Sequence, residues 1–173
     1  MRGAAFLSKR DEALVVDVGG TTTDIGSLRH GFPREANNVV EIGGVRTLFR
    51  MPDLLSMGLG GGTKVLAPGV GTAPVLTIGP ARVGYRLTEQ ALVFGGDILT
   101  VTDVAVAAGL IDLGDRARLA WLPAALVKEA LARIRAMIEE GVDRMKTDAS
   151  ETPLIAVGGG SFLVPARLAG VSE

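Results

Sequence analysis

The sequence predicts an α/β domain with a mixed sheet, and three stretches of it support this fold class. Residues 13–16 form an apolar run rich in β-branched side chains, which is typical of a buried strand. Residues 122–146 repeat apolar side chains near a period of 3.6, the pattern of an amphipathic helix. The short apolar run 154–157 follows that helix and predicts another buried strand.

The first strand is predicted to end in a tight turn that suits an anion. Asp17 is followed by Gly19 and Gly20, and residues 24–29 are expected to pair back as a second strand. Two glycines let an anion approach the backbone N–H groups of such a turn. The carboxylate of Asp17 can hold a hydrated Mg²⁺ beside it. An ordinary hairpin without a ligand is the alternative interpretation.

The stretch of about 35–98 is predicted to be rich in strands and to form an inserted subdomain. Strands are expected at 39–42, 45–50, 64–67, 75–79 and 91–94. Four glycines lie within residues 58–63. This cluster is either a loop that needs close packing or a backbone wall against a ligand.

Capping and stop signals define two helices. Thr100 and Asp103 have capping-box spacing, so a helix is expected from there to just before Gly109. Asp103 then complements the helix N-terminus, with ligand or metal binding as the alternative. In the helix at 122–146, Pro123 suits the first helical position and Gly141 indicates a kink or a close contact.

Composition excludes several classes of function for these 173 residues. A net charge of -1 with 21% charged residues argues against a nucleic-acid surface, and no apolar run is long enough to span a membrane. There is no cysteine, and His30 is the single histidine, so thiolate metal sites and Ser–His catalysis are not expected. The first ten residues lack a signal-peptide core, which fits a cytoplasmic protein. No P-loop string occurs, and Thr63 replaces the third glycine of a dinucleotide fingerprint.

A second glycine-rich turn follows the strand at 154–157. Gly158, Gly159 and Gly160 lead into Ser161 and a helix-like segment at 162–164. The turn is either a second place where a ligand approaches the backbone or an ordinary strand-to-helix connection.

Several strings in this order resemble one known family. Asp-x-Gly-Gly-Thr-x-x-Asp at 17–24 resembles the phosphate loop of the actin/Hsp70/sugar-kinase superfamily, and the turn after 157 resembles its adenosine motif. With the strings at 43–53, 56–63 and 100–103, the chain resembles the hydantoinase A/oxoprolinase family over almost its whole length. The resemblance implies one lobe of an actin-like ATPase (ribonuclease H-like) fold, a single nucleotide-binding lobe over residues 1–173.

The resemblance also implies an activity and its site residues. The family uses ATP to open cyclic amides, N-methylhydantoin or 5-oxoproline, by phosphorylating an amide oxygen before water attacks; acetone carboxylase subunits are relatives. ATP and Mg²⁺ are the implied cofactors. By this resemblance the phosphates contact Gly19, Gly20, Thr21 and Thr22, Mg²⁺ is held through water by Asp17, and the adenosine is flanked by Gly158, Gly159, Gly160 and Ser161.

The resemblance further implies missing partners. The family's polypeptide is several times longer and carries an earlier phosphate loop in a preceding lobe, so this chain is expected to be a second lobe. Its expected partners are the first lobe, in the same polypeptide or another subunit, a hydantoinase B-type subunit, and a small cyclic amide. The roles of Arg46, Asp53, residues 60–63 and Asp103 stay open. A small-molecule kinase lobe and a non-catalytic partner-binding nucleotide module are the alternatives.

Overall fold

The computed structural model describes residues 1–36, 40–42, 45–47, 51–69, 75–147, 151–165 and 171–172. The predicted strand residues 39 and 48–50 and the glycines at 43–44 lie outside these ranges. The strands are β1 Ala13–Val18, β2 Thr23–Arg29, β3 Phe32–Pro33, β4 Val40–Ile42, β5 Val45–Thr47, β6 Leu54–Met57, β7 Thr63–Leu66, β8 Thr77–Arg82, β9 Thr152–Val157 and β10 Val171–Ser172. The α-helices are α1 Arg2–Ser8, α2 Leu87–Gln90, α3 Val101–Ala107 and α4 Ala124–Met145. Short 3₁₀ helices lie at Gly84–Arg86, Leu92–Phe94, Arg116–Leu119 and Ser161–Leu163.

A mixed sheet centred on β1 is the core of the fold. Its strand order is β10-β9-β1-β2-β3, and β6 also pairs with β2. β1 runs antiparallel to β2, its hairpin partner, and parallel to β9, which follows the long helix α4. These directions are expected, because a tight turn joins antiparallel strands, whereas parallel strands need a long connection that usually contains a helix. The predicted hairpin and the predicted strand after the long helix therefore meet on β1.

The two faces of the sheet are covered by different helices, because successive side chains of a strand point to opposite faces. Leu14, Val16 and Val18 belong to the main core, together with the buried face of α4. Ala13 and Val15 lie on the other face and pack near the short helix α1. Asp17 shares this second face but is exposed at its end.

The long helix α4 is two residues shorter at its start than the sequence predicts. Pro123 is its N-cap and not its first helical residue. Gly141 lies in a close contact, which was one of the two interpretations, the other being a kink. A Cβ there would overlap Met57 Cε and lie 2.7 Å from Ile25 Cδ1. Glycine at this position therefore lets α4 approach β2 and β6.

The stretch of about 35–98 is rich in strands. β4 and β5 form one antiparallel hairpin and β7 and β8 another, whereas β6 joins the main sheet beside β2. The division of this stretch as an inserted subdomain stays a prediction. None of the helices in the described ranges is long and apolar enough to cross a membrane.

The predicted strand at 91–94 is wrong. Leu92–Phe94 is a 3₁₀ helix, and Ala91 makes only an isolated bridge to Ile98. The N–H groups of Phe94 and Gly95 donate to the carbonyls of Ala91 and Leu92, which closes the backbone on itself. A short apolar run does not distinguish such a buried turn from a strand.

Candidate functional site

The hairpin tip (residues 19–22) between β1 and β2 presents unpaired backbone amides. Gly19 donates its N–H to the carbonyl oxygen of Thr22 at 2.9 Å and closes the turn. The N–H groups of Gly20, Thr21 and Thr22 donate to none of the described residues. Consecutive free amides at a turn form an anion-binding concavity, so the tip can bind a phosphate group.

The glycine brace (residues 58–62) packs directly behind the hairpin tip. Gly61 and Gly62 donate their N–H groups to the carbonyls of Gly19 and Gly20 at 3.0 and 2.7 Å. A Cβ on Gly60 would lie 2.6 Å from the backbone nitrogen of Thr21 and 2.7 Å from the carbonyl oxygen of Gly19. The brace therefore holds the shape of the hairpin tip, which is the close-packing interpretation of this cluster.

Buried threonines lock the brace in place. Thr23 donates its hydroxyl to the carbonyl of Leu59 at 2.7 Å, and Thr102 donates to the carbonyl of Gly61 at 2.9 Å. The hydroxyl of Thr63 accepts the N–H of Gly60 at 2.8 Å. The hydroxyls of Thr23 and Thr63 satisfy backbone groups that the tight turn would leave unpaired, and that of Thr102 adds a second bond to a carbonyl that already accepts the N–H of Thr102.

Two carboxylates lie side by side where β1 and β2 enter the tip. Asp17 is directly opposite Asp24 in the ladder, so both side chains are on one face of the sheet. Asp24 accepts a short hydrogen bond from the hydroxyl of Ser56 and a longer one from Thr22 Oγ1 at 3.4 Å. The side chain of Asp17 is exposed and pairs with none of the described residues.

This oxygen-rich pair fits a magnesium ion. Mg²⁺ keeps several waters and takes one or two carboxylates plus phosphate oxygens, in preference to a cage made of protein ligands alone. No group of three or more histidine, cysteine, aspartate or glutamate side chains in the described part of the chain is arranged to hold a metal. Asp17 is the free carboxylate of the pair, and Asp24 is already held by hydroxyls.

The triple-glycine turn (residues 158–160) lies against the end of β1, next to the hairpin tip. Gly160 donates its N–H to the carbonyl of Val18 at 2.8 Å. Gly158 has φ +86°, and a Cβ there would lie 2.5 Å from Asp17 Oδ1. A Cβ on Gly160 would lie 2.6 Å from Val18 Cγ1, whereas one on Gly159 would meet open space. The outer two glycines are thus required by packing, and the middle one is free to face a ligand.

Ser161 begins the 3₁₀ helix that follows the triple-glycine turn. Its N–H donates to the carbonyl of Gly158 at 3.2 Å, and the residue is half-buried. The helix spans Ser161–Leu163, one residue earlier than the predicted 162–164.

One cavity of about 190 Å³ separates the two glycine-rich turns. Four of the predicted site residues line this cavity: Gly19, Gly20, Gly159 and Gly160. The other five do not: Asp17, Thr21, Thr22, Gly158 and Ser161. Its apolar side chains come from segments that carry no motif, apart from Phe162, which lies two residues after the triple-glycine turn. The lining residues are Gly19, Gly20, Gly61, Leu87, Thr102, Ile111, Leu113, Gly159, Gly160 and Phe162.

A larger cavity of about 700 Å³ lies elsewhere, between the end of α3 and the start of α4. Alanine and leucine side chains dominate its walls, with Arg116 and Lys128 among them. None of the glycine turns that suit a nucleotide line it. The smaller cavity is therefore the candidate site, because chemistry and not volume decides between the two.

Asp103 and Asp53, whose roles the sequence left open, make structural contacts. Asp103 is fully buried and completes the predicted capping box with Thr100, and it also accepts the N–H of Val93 at 2.7 Å. Burial raises the pKa of Asp103, and hydrogen bonds from Thr100 and Val93 oppose that shift. Asp53 pairs with Arg34 at 2.6 Å. Arg46 lies in β5, and its side chain is outside the described part of the structure.

Comparison with protein families identifies the chain. The model of the hydantoinase/oxoprolinase family matches residues 1–157. The chain belongs to the hydantoinase/oxoprolinase family. The resemblance inferred from the motif strings is thereby confirmed. A search of curated proteins finds no match.

Two solved structures share the fold of this hydantoinase/oxoprolinase chain. A nucleotide-free structure of acetone carboxylase, studied for ATP-dependent acetone carboxylation, matches with TM-score 0.66 and 15% identity over 92% of this chain and 26% of its own. The ATP-dependent caprolactamase from Pseudomonas jessenii matches with TM-score 0.66 and 20% identity over 91% of this chain and 26% of its own. The predicted fold class is confirmed as an α/β lobe of the actin-like type. The chain spans about a quarter of the length of both structures.

Proposed function

We propose that this chain is the nucleotide-binding lobe of an ATP-dependent amidohydrolase that opens cyclic amides of the N-methylhydantoin or 5-oxoproline type. The observation that carries the proposal is the meeting of the two glycine-rich turns at Val18. Gly19 follows Val18 in the chain, and Gly160 is bonded to its carbonyl at 2.8 Å. Both turns line one cavity, so one ligand can contact both.

The hairpin tip is the phosphate end of the proposed site. Gly19 and Gly20 allow close approach, and the free amides of Gly20, Thr21 and Thr22 donate to phosphate oxygens. The brace holds these amides in place before the ligand arrives, which limits the entropy lost on binding. The triple-glycine turn and Ser161 flank the adenosine.

Magnesium is assigned to the carboxylate side of the tip. Asp17 holds the ion through water, and Asp24, oriented by Ser56, adds negative charge beside it. Bound Mg²⁺ neutralises charge on phosphate oxygens during phosphoryl transfer. The residues of this lobe position the nucleotide and its metal.

The cyclic amide and the groups that act on it are assigned to the parts of the enzyme beyond this lobe. A cavity of about 190 Å³ is below the ~300–1,000 Å³ of typical small-molecule sites, so it holds part of a nucleotide and no second substrate. The proposed partners are the first lobe, in the same polypeptide or in another subunit, and a hydantoinase B-type subunit. The chain's coverage of about a quarter of its structural relatives supports this assignment.

Isothermal titration with Mg-ATP tests the proposal, first on this chain and then on the chain with the complementary lobe supplied. Weak binding by the lone chain and tighter binding with the second lobe are expected, since half of the contacts are missing from the lone chain. The two-lobe sample is then given ATP with 5-oxoproline, N-methylhydantoin or a panel of sugars. ADP release that depends on a cyclic amide supports the proposal. No heat in either titration, or phosphotransfer to a sugar, contradicts it.

A further inference from the structure

We infer that the nucleotide site of this lobe holds the base by its faces and discriminates little between purines, so that GTP and ITP bind about as well as ATP. This inference rests on the proposed function and goes beyond it, because it concerns which nucleotides the site accepts. It follows from the side chains that line the cavity between the two glycine-rich turns.

The large side chains that line the cavity form an apolar wall. Leu87, Ile111, Leu113 and Phe162 supply its large side chains. Such surfaces pack against the flat face of a heterocyclic ring, which adenine, guanine and hypoxanthine present alike. Hydrophobic contact of this kind provides affinity without reading the ring's substituents.

The side-chain hydroxyl and three of the five glycine N–H groups that line the cavity are already paired. The hydroxyl of Thr102, its one polar side chain, donates to the carbonyl of Gly61 at 2.9 Å. The N–H groups of Gly19, Gly61 and Gly160 are used within the backbone. The N–H groups of Gly20 and Gly159 donate to none of the described residues and remain for the ligand. We place N7 of the base at such an amide, because N7 is an acceptor that adenine and guanine share.

The mouth of the cavity is open to water in this lobe, and we place the substituted edge of the base there. Leu113 is 39% exposed and Gly159 is exposed, so the apolar wall and the glycine turn both reach the surface. An exchange of the amino group for an oxo group then costs little, because neither group loses its hydrogen bonds to water. Large discrimination arises where a site is built to hydrogen-bond a group that the wrong substrate lacks.

Saturation-transfer NMR on the chain with Mg-ATP, Mg-GTP and Mg-ITP tests the inference, since this method detects weak ligands. Affinities within about tenfold of one another are expected, with strong transfer to the base proton H8. Leu113→Ala should weaken all three nucleotides by the same factor. Leu110→Ala is the matched control: Leu110 is 37% exposed in the same loop and does not line the cavity.

The outcomes separate this inference from the proposed function. Binding of ATP that exceeds binding of GTP or ITP by more than about tenfold overturns the inference and leaves the proposed function intact. Equal affinities without transfer to H8 also overturn it, because the base would then not contact the apolar wall. Absence of transfer to any of the three nucleotides overturns the inference and the proposed function together.

Discussion

Gly62 donates its backbone N–H to the carbonyl oxygen of Gly20 over 2.7 Å, and this bond joins two glycine clusters that lie about forty residues apart in the sequence. The neighbouring bond from Gly61 to Gly19 runs beside it at 3.0 Å. The hairpin tip therefore owes its shape to the brace behind it as much as to its own two glycines. Substitutions can therefore distinguish residues that build the site from residues that would contact a nucleotide.

Gly60→Ala should destabilise the protein and distort the hairpin tip. Its Cβ would lie 2.6 Å from the nitrogen of Thr21, a backbone atom that cannot move without breaking the bonds of the tip. We expect a loss of about 1–3 kcal/mol in the free energy of unfolding, measured with urea. Gly3→Ala is the control, because a Cβ at Gly3 meets open space. Equal stability of the two variants would refute the bracing role.

Gly20→Ala and Gly159→Ala should fold normally and bind Mg-ATP more weakly. A Cβ at either position meets nothing within 4 Å, and neither glycine has a positive φ. The added methyl groups therefore matter only to a ligand. We expect unfolding free energies within about 0.5 kcal/mol of the unsubstituted protein and a loss in affinity of about tenfold, or 1.4 kcal/mol. Unchanged nucleotide affinity in both variants would place the ligand elsewhere.

Asp17→Asn should abolish the effect of Mg²⁺ on nucleotide binding, and Asp24→Asn should weaken it. Asp17 lies beside the tip and pairs with none of the described residues, whereas Asp24 is held by Ser56. Ser56→Ala should have a smaller effect, because it keeps both carboxylates and removes only the hydrogen bond that orients Asp24. Calorimetry with ATP, with and without Mg²⁺, measures the difference. Asp143→Asn, on the exposed side of α4, is the control. A full Mg²⁺ effect in Asp17→Asn contradicts the metal assignment.

Asp103 should make stability depend on pH. Burial raises the pKa of Asp103, so the folded state binds its proton more tightly than the unfolded state does. This contribution to the free energy of unfolding is fully present below the pKa that Asp103 has in the unfolded state. It is lost as the pH rises through the pKa of Asp103 in the folded state. Urea unfolding across this range should show the decline.

Asp103→Asn provides the matched comparison for that titration. It removes the ionisable group and places an amide donor where the N–H or hydroxyl of Thr100 needs an acceptor. We expect the variant to be less stable by about 1–3 kcal/mol and to have a flatter dependence on pH. Identical pH profiles for the two proteins would show that Asp103 does not titrate differently on folding.

The elements set by local signals were predictable from the sequence. The hairpin of β1 and β2 follows from a β-branched run and two adjacent glycines, and α3 follows from the capping box of Thr100 and Asp103. Each signal involves residues within a few positions of one another. The prediction of a strand at 91–94 was wrong because it also used only local signals. A local apolar run does not show whether a partner strand lies alongside.

Of the residues that line the cavity, mainly the glycines were predictable from the sequence. Gly19, Gly20, Gly159 and Gly160 carry motif signals, but Leu87, Ile111 and Leu113 look like any apolar core residue. Long-range packing brings these side chains to the site, and one sequence carries no record of such contacts. The pairing of β6 with β2, which delivers Ser56 to Asp24, was missed for this reason as well.

The most direct test of the central claim is a titration of ¹⁵N-labelled chain with Mg-ATP, followed by NMR of the backbone amides. If both glycine-rich turns bind one nucleotide, the amide resonances of Gly20, Thr21, Thr22 and Gly159 should shift together along a single binding curve, and that of Gly3 should not move. Shifts confined to one turn, or centred on Ala107 and Ala120 around the larger cavity, would contradict the claim.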